Sequence, residues 1–143
     1  MDFHLNTSSA EQISAHLNAC DTLFVPKLSS YVTIETYSKK LFDKAVRIEC
    51  FDRNELLGLL AFYVNLEASF CFITNVSVDK KLKGKKIGDL LLLRLVNYCL
   101  ENNIKQIQLE VRKENIKAIN FYKKHSFVLL KENIDNFKLQ KII

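Results

Sequence analysis

The sequence predicts a mixed α/β domain with helices packed on a central sheet, and three observations carry that reading. Apolar residues recur at helical spacing through the first forty-odd residues. Three segments rich in β-formers follow, up to Val78. From Gly88 onward, helix-like and strand-like stretches alternate.

Taken in order, Ser8-x-x-Glu11 has the form of a capping box, and Ile13, Leu17 and Cys20 follow on one helical face. Pro26 interrupts the pattern. Ile34, Tyr37, Leu41 and Phe42 predict a second helix reaching about Ala45. AVRIECF and ELLGLLAFYVN, separated by the turn-like DRN, read as a hairpin. ASFCFITNVSV is a third strand; Ile73 and Val76 break its alternation, which predicts a bulge near its end. DLLLLRLVNYCLEN reads as a long helix, IKQIQLEV as a strand, and NIKAINFYKKHS as a helix capped by Asn115. FVLLKE and FKLQKII complete the pattern as two strands around IDN. No linker or repeat divides residues 1–143, so a single domain is expected.

Composition narrows the function. The 143 residues are 48 % hydrophobic and 26 % charged, the balance of a globular chain. No apolar run reaches the ~18–20 residues of a membrane span, and the N-terminus has no basic segment leading into an apolar one. The four cysteines stand singly in apolar runs with no C-x-x-C pair. Buried reduced thiols in a cytoplasmic protein are therefore expected, with no metal site. The net charge of +5 is unevenly placed: Lys80, Lys81, Lys83, Lys85 and Lys86 crowd one turn, as an anionic ligand would favour.

That turn also holds two of the three glycines, Gly84 and Gly88, directly between a strand and a long helix. Glycine lets backbone N–H groups converge into an anion nest, and the helix start adds unpaired N–H groups and the positive end of its dipole. A phosphate or diphosphate site is one reading; a solvated lysine-rich turn is the other. The spacing is neither a Walker loop nor a dinucleotide fingerprint.

The run Val78-Asp79-Lys80-Lys81-Leu82-Lys83-Gly84-Lys85-Lys86-Ile87-Gly88, followed by Leu90-Leu91, resembles motif A of the GNAT acyltransferase superfamily. A second block agrees with it: Leu109-Glu110-Val111, Asn115-x-x-Ala118-x-x-x-Tyr122, then Phe127. Together they cover roughly residues 55–130. Lys83 stands at the family's Arg/Gln position, Lys86 at its first loop glycine, and Ser126 at the glycine before Phe127.

The resemblance implies a mostly antiparallel central sheet, flanked by helices, whose fourth and fifth strands splay apart around acetyl-CoA. The pantetheine arm would lie along Val76, Ser77 and Val78. The diphosphate would sit on N–H groups from Lys83 through Gly84, Lys85, Lys86 and Ile87 to Gly88, with Asp89, Asn115, Ala118 and Tyr122 completing the cofactor site. A primary amine would attack the thioester directly, with Tyr122 protonating the departing thiolate. A phenol of pKa ~10 suits that task. Tyr122 also reads as an amphipathic core residue, and Asn115 as no more than a helix cap. Glu110 is the candidate general base, or a structural or solvated glutamate. Asn75, Ser77, Tyr63 and Asn65 are expected to line the acceptor side, with residues 1–45 building acceptor specificity. His125 is expected at a solvated helix end, and His4 and His16 carry no motif.

The expected acceptor is a small molecule such as an amino sugar or polyamine; a protein N-terminus or lysine stays open. Neither nucleic acid nor membrane is expected as partner, and the protein is expected to be a monomer or homodimer. Two other readings compete: a non-catalytic CoA-binding module, and a basic nucleic-acid-binding domain.

Overall fold

The computed structural model describes all 143 residues. Its elements are β1 (Asp2–Leu5), α1 (Ala10–Cys20), α2 (Ile34–Lys44), β2 (Val46–Asp52), β3 (Glu55–Asn65), β4 (Phe70–Val78), α3 (Ile87–Glu101), β5 (Gln106–Arg112), α4 (Ile116–Lys124), β6 (Val128–Glu132) and β7 (Asn136–Ile142). All seven strands join one sheet in the order β1-β2-β3-β4-β5-β7-β6. Every pairing is antiparallel except β4 with β5. The strand β1 was not expected from the sequence. With it in place, the strand ending at Val78 is the fourth, as the resemblance implied.

Helices cover both faces. Ile87, Leu91, Leu92 and Leu95 of α3 and Ile119 of α4 pack on one side with Cys50, Leu60, Phe62 and Ile73. Ile13 and Leu17 of α1 and Ile34 and Leu41 of α2 pack on the other with Leu59 and Ala61. The turn between β2 and β3 has Arg53 at φ 50° and Asn54 at φ 68°, a two-residue hairpin loop with both central residues left-handed. Gly58 sets how closely α3 lies on the sheet. A Cβ there would stand 3.0 Å from Cys50 Cβ and 3.1 Å from Ile87 Cγ2.

The bulge falls in β4. Ala61 pairs with Asn75 and Phe62 with Ile73, leaving Thr74 as the extra residue. The insertion reverses side-chain parity. Ile73 packs in the α3-side core, and after the bulge it is Val76 and Val78 that touch that core.

The α1 capping box is shifted by one residue from expectation. Ser9 caps Gln12 N–H, and the Gln12 side chain accepts from Ser9 N–H at 2.9 Å. Ser8 is occupied elsewhere: its N–H and hydroxyl both donate to Glu49 Oε2, while Thr7 donates to Oε1 at 2.8 Å and 2.9 Å. Arg47 Nε approaches the same carboxylate at 3.3 Å, while its terminal nitrogens Nη1 and Nη2 donate to the carbonyls of Phe42 and Ser8. This pair is buried, Arg47 4 % and Glu49 0 % exposed, and ties the β1–α1 connection to β2.

Burial opposes ionisation of Glu49, but the hydrogen bonds from Ser8 and Thr7 outweigh it and hold the carboxyl below its usual range. A depressed folded pKa contributes stability above the unfolded value of ~4.3, lost as pH falls through the folded value. Glu49→Gln is expected to flatten that acid limb of the unfolding free energy. Arg47→Met, which strands the buried carboxylate, should lower stability by about 3–5 kcal/mol in urea unfolding at pH 7.

Candidate active site

The site follows from where β4 and β5 part. Their parallel pairing runs only from Phe70–Gln106 to Ile73–Leu109. β4 then continues to Val78, still paired with β3, and β5 to Arg112, still paired with β7. Beyond Ile73 no strand pairs with the edge of β4 that faced β5. Its backbone groups are available to an extended ligand carrying amides.

Two hollows occupy the gap. One, of about 530 Å³, is lined by Asn75, Val76, Glu110 and Arg112, and by Phe24, Tyr31, Val32 and Tyr37 from the segment after α1 and from α2. The other, of about 300 Å³, is lined by Val76, Ser77, Val78, Gly88, Lys117 and Phe121. Val76, Asn115, Ala118 and Tyr122 border both, so Tyr122 stands at their junction. Tyr122 is 8 % exposed and packs edge-on against Phe121 and Phe127. Burial pushes its phenol well above the ordinary range, so it stays protonated at neutral pH.

The second hollow leads to the glycine loop. Gly84 adopts φ +82°, and Lys86, immediately before α3, adopts φ 56°. Lysine takes the left-handed conformation that the family's glycine would favour, at a steric cost of about 1 kcal/mol or more. The turn narrows the expected set of donors. Lys83 N–H donates to Lys80 O and Lys85 N–H to Leu82 O, each at 3.1 Å. The first bond inside α3 is Leu90 N–H to Lys86 O. The N–H groups of Gly84, Lys86, Ile87, Gly88 and Asp89 are therefore unpaired at a helix start. A Cβ on Gly88 would meet the Phe121 ring at 3.4 Å, so the loop lies tight against α4. Of the five clustered lysines only Lys81 is paired, with Glu55 at 3.2 Å. Open donors, unpaired cations and a free strand edge fit a CoA thioester.

The other expected residues sort as follows. The Ile87 side chain is core. The Asp89 carboxylate does not face an anion uncompensated: Lys124 Nζ holds it at 2.9 Å and His125 Nε2 at 2.5 Å. These partners keep its carboxyl below the usual range. His125 is thus a half-buried partner of Asp89 and not the solvated end residue expected. Asn115 caps α4 through Ala118 N–H at 3.2 Å while also lining both hollows. Glu110 is exposed and lines the larger hollow. Asn75 lines it too, but Tyr63 and Asn65 belong to a separate depression with Phe72 and Gln108. Ser126, at φ 69°, closes α4 with Phe127 N–H bonded to Tyr122 O, which orients the tyrosine's turn.

The sequence reading gave no role to His16 or Arg112, and it covered Tyr31 and Tyr37 only as part of the region expected to build acceptor specificity. Tyr31, Tyr37 and Arg112 line the larger hollow, and the Tyr37 hydroxyl donates to Thr74 O at 3.1 Å, clamping the bulge. His16 is buried on α1, with Nε2 2.8 Å from Ser77 Oγ, which donates to Asn75 Oδ1 at 2.9 Å. Its place among Ile13, Leu17 and Cys20 was the available signal. No group of three or more His, Cys, Asp or Glu side chains could hold a metal ion, and all four cysteines are buried free thiols. No helix is long and apolar enough to cross a membrane.

A family model described as acetyltransferase (GNAT) matches residues 11–127. The chain belongs to that family. It is 37 % identical over 78 residues to the uncharacterized protein YxbD of Bacillus subtilis, covering 54 % of this chain and 46 % of that protein. It is 32 % identical over 76 residues to streptothricin acetyltransferase A of the same organism, covering 53 % and 43 %. The match thus spans less than half the length of each of these relatives. The fold is similar to that of the PaiA N-acetyltransferase of Thermoplasma acidophilum in complex with coenzyme A, with TM-score 0.79 and 17 % identity over the full length of both chains.

Burial is the main cause of the lowering of His16 to about 4, so it is neutral in the folded state at pH 7. Between that value and ~6.5 the unfolded chain binds more protons, so stability falls as pH drops through this window. The loss should approach about 3 kcal/mol by pH 4. His16→Gln, which keeps a donor for Ser77, is expected to remove this limb in unfolding titrations.

Proposed function

We propose that the protein transfers an acetyl group from acetyl-CoA to a small primary amine. The observation that carries this reading is Tyr122 at the junction of two hollows, one opening on the unpaired N–H groups of the glycine loop and the other on Glu110. In this reading residues 55–130 form the acyl-CoA-binding core and residues 1–45 the acceptor side. The amino sugar suggested by the sequence is one candidate acceptor. The protein acts in the cytoplasm as a monomer or homodimer.

The thioester supplies an activated acetyl group. The chain's residues hold it and manage protons. N–H groups of Gly84 and Lys86 to Asp89 receive the diphosphate, with Lys83, Lys85 and Lys86 nearby as counter-charges. The edge of β4 from Val76 to Val78 receives the pantetheine amides. Asn115 and Ala118 border the passage between. Glu110 accepts a proton from the arriving ammonium, directly or through water, leaving a neutral amine. The amine nitrogen bonds to the acetyl carbon as the carbon–sulfur bond breaks. Tyr122 donates its proton to the departing sulfur and is restored by the proton the nitrogen loses. The net products are an N-acetyl amide and free CoA.

Calorimetry with acetyl-CoA tests the donor site. The Gly84→Asp/Gly88→Asp variant sets two carboxylates against the diphosphate and should bind about 100-fold more weakly or worse, with its circular dichroism unchanged. No binding by the unaltered protein would sink the acyl-CoA reading.

Tyr122→Phe keeps the ring packing and removes only the hydroxyl. It should lower kcat about 10²–10⁴-fold with acetyl-CoA affinity held. Unchanged turnover would remove Tyr122 as the acid, and binding without transfer to any amine would favour a non-catalytic CoA-binding module.

A further inference from the structure

The larger hollow is poorly suited to a polycation or a sugar. Its lining is mostly hydrophobic, with Phe24, Tyr31, Val32 and Tyr37 contributed by the segment between α1 and α2 and by α2 itself. It carries two charged side chains, Glu110 and Arg112. Arg112 Nε is held by Glu114 at 3.0 Å, while Glu110 makes no ion pair. Asp21, in the turn beside this wall, already accepts from Ser29 N–H at 2.7 Å and Ser29 Oγ at 2.6 Å. One uncommitted carboxylate can meet one ammonium. A second and third ammonium would find no partner, in a chain whose net charge is already +5.

Three polar atoms of the lining are committed to the protein. The Tyr37 hydroxyl is bound to Thr74, Asn75 Oδ1 accepts from Ser77, and Asn115 Oδ1 accepts from Ala118 N–H. Sugar hydroxyls laid against Phe24, Val25, Leu28 and Val32 would lose water there without regaining hydrogen bonds. Apolar surface entering it gains burial, and aromatic rings beside a single carboxylate also suit one cation.

We infer that the acceptor is an apolar monoamine, a single primary amine on an aromatic or alkyl body. Its ammonium meets Glu110, and its body lies against Phe24, Tyr31, Val32 and Tyr37. The inference rests on the acetyl-transfer reading, narrows its acceptor, and displaces the amino sugar and the polyamine.

Two measurements separate the inference from that reading: calorimetry with acetyl-CoA for the donor site, and release of CoA thiol for transfer. The acceptor panel holds 2-phenylethylamine and hexylamine as apolar monoamines, against spermidine, glucosamine and streptothricin. The monoamines are expected to show kcat/KM at least about tenfold higher than the other three. Tyr31→Ala, which removes an aromatic wall that lines only the larger hollow and does not touch the bulge, should raise their KM about tenfold with acetyl-CoA affinity unchanged. Val32→Asp, which adds a carboxylate to the wall, should move preference toward spermidine. A higher kcat/KM for spermidine, glucosamine or streptothricin overturns the inference and leaves acetyl transfer standing. Acetyl-CoA binding with no turnover of either monoamine overturns it as well. Failure to bind acetyl-CoA overturns the acetyl-transfer reading, and the inference with it.

Discussion

Thr74, the one residue that β4 carries in excess of its partner β3, is the constraint on which the site depends. Before it, alternate side chains of β4 enter the core under α3, and β4 is hydrogen-bonded to β5. After it the parity is reversed and the pairing with β5 has ended. Both consequences are needed. Ending the ladder frees one backbone edge; reversing parity places Val76 and Val78 toward α3 and α4 while Ser77 reaches His16 on α1. The bulge is held from outside by Tyr37 and from along the strand by the His16–Ser77–Asn75 chain. A bulge left to itself twists and frays; one clamped on the helix side fixes the width of the gap.

The two ends of the gap differ in electrostatics, and the difference follows from how each is built. At the glycine loop, positive charge comes from lysines and from helix-start N–H groups, while the one carboxylate in the first turn, Asp89, is neutralised by Lys124 and His125. An uncompensated Asp89 would stabilise the helix dipole yet oppose a bound anion. Pairing it from α4 removes that opposition, and links the N-terminus of α3 to the C-terminus of the helix that carries Tyr122. The larger hollow has no comparable excess of either sign, its charged side chains being Glu110 and Arg112 alone.

Much of this architecture could be read in the sequence because it rests on local rules. Scarce glycines between a strand and a leucine-rich helix, the Asn115 cap and the broken alternation at Ile73 and Val76 each predict a feature from neighbouring residues alone. What escaped was set by distant partners. β1 is four residues long and is defined only by its pairing with β2. Ser8-x-x-Glu11 and Ser9-x-x-Gln12 are equally good boxes, and the choice is made by Glu49, which takes Ser8 from 41 residues away. Asp89 with His125 and His16 with Ser77 are likewise contacts across the fold. Tyr63 and Asn65 looked suitable by composition, but their position along β3 takes them past the bulge into a different depression.

The same contrast explains why donor and acceptor halves differ in legibility. The donor half must present backbone groups to a fixed chemical pattern, and backbone geometry leaves marks in sequence: a left-handed Gly84, a helix start at Ile87, a ladder that stops at Ile73. The proposed acceptor wall between Asp21 and Thr33 is irregular chain held by short turns and by Asp21 with Ser29. Within it Leu28 is buried in the core against β3, with Phe24 and Val32 packed beside it, while the β4 bulge itself is held from α2 by Tyr37. On the proposed reading, the scaffold sets the donor chemistry and the irregular segment between α1 and α2 sets the acceptor.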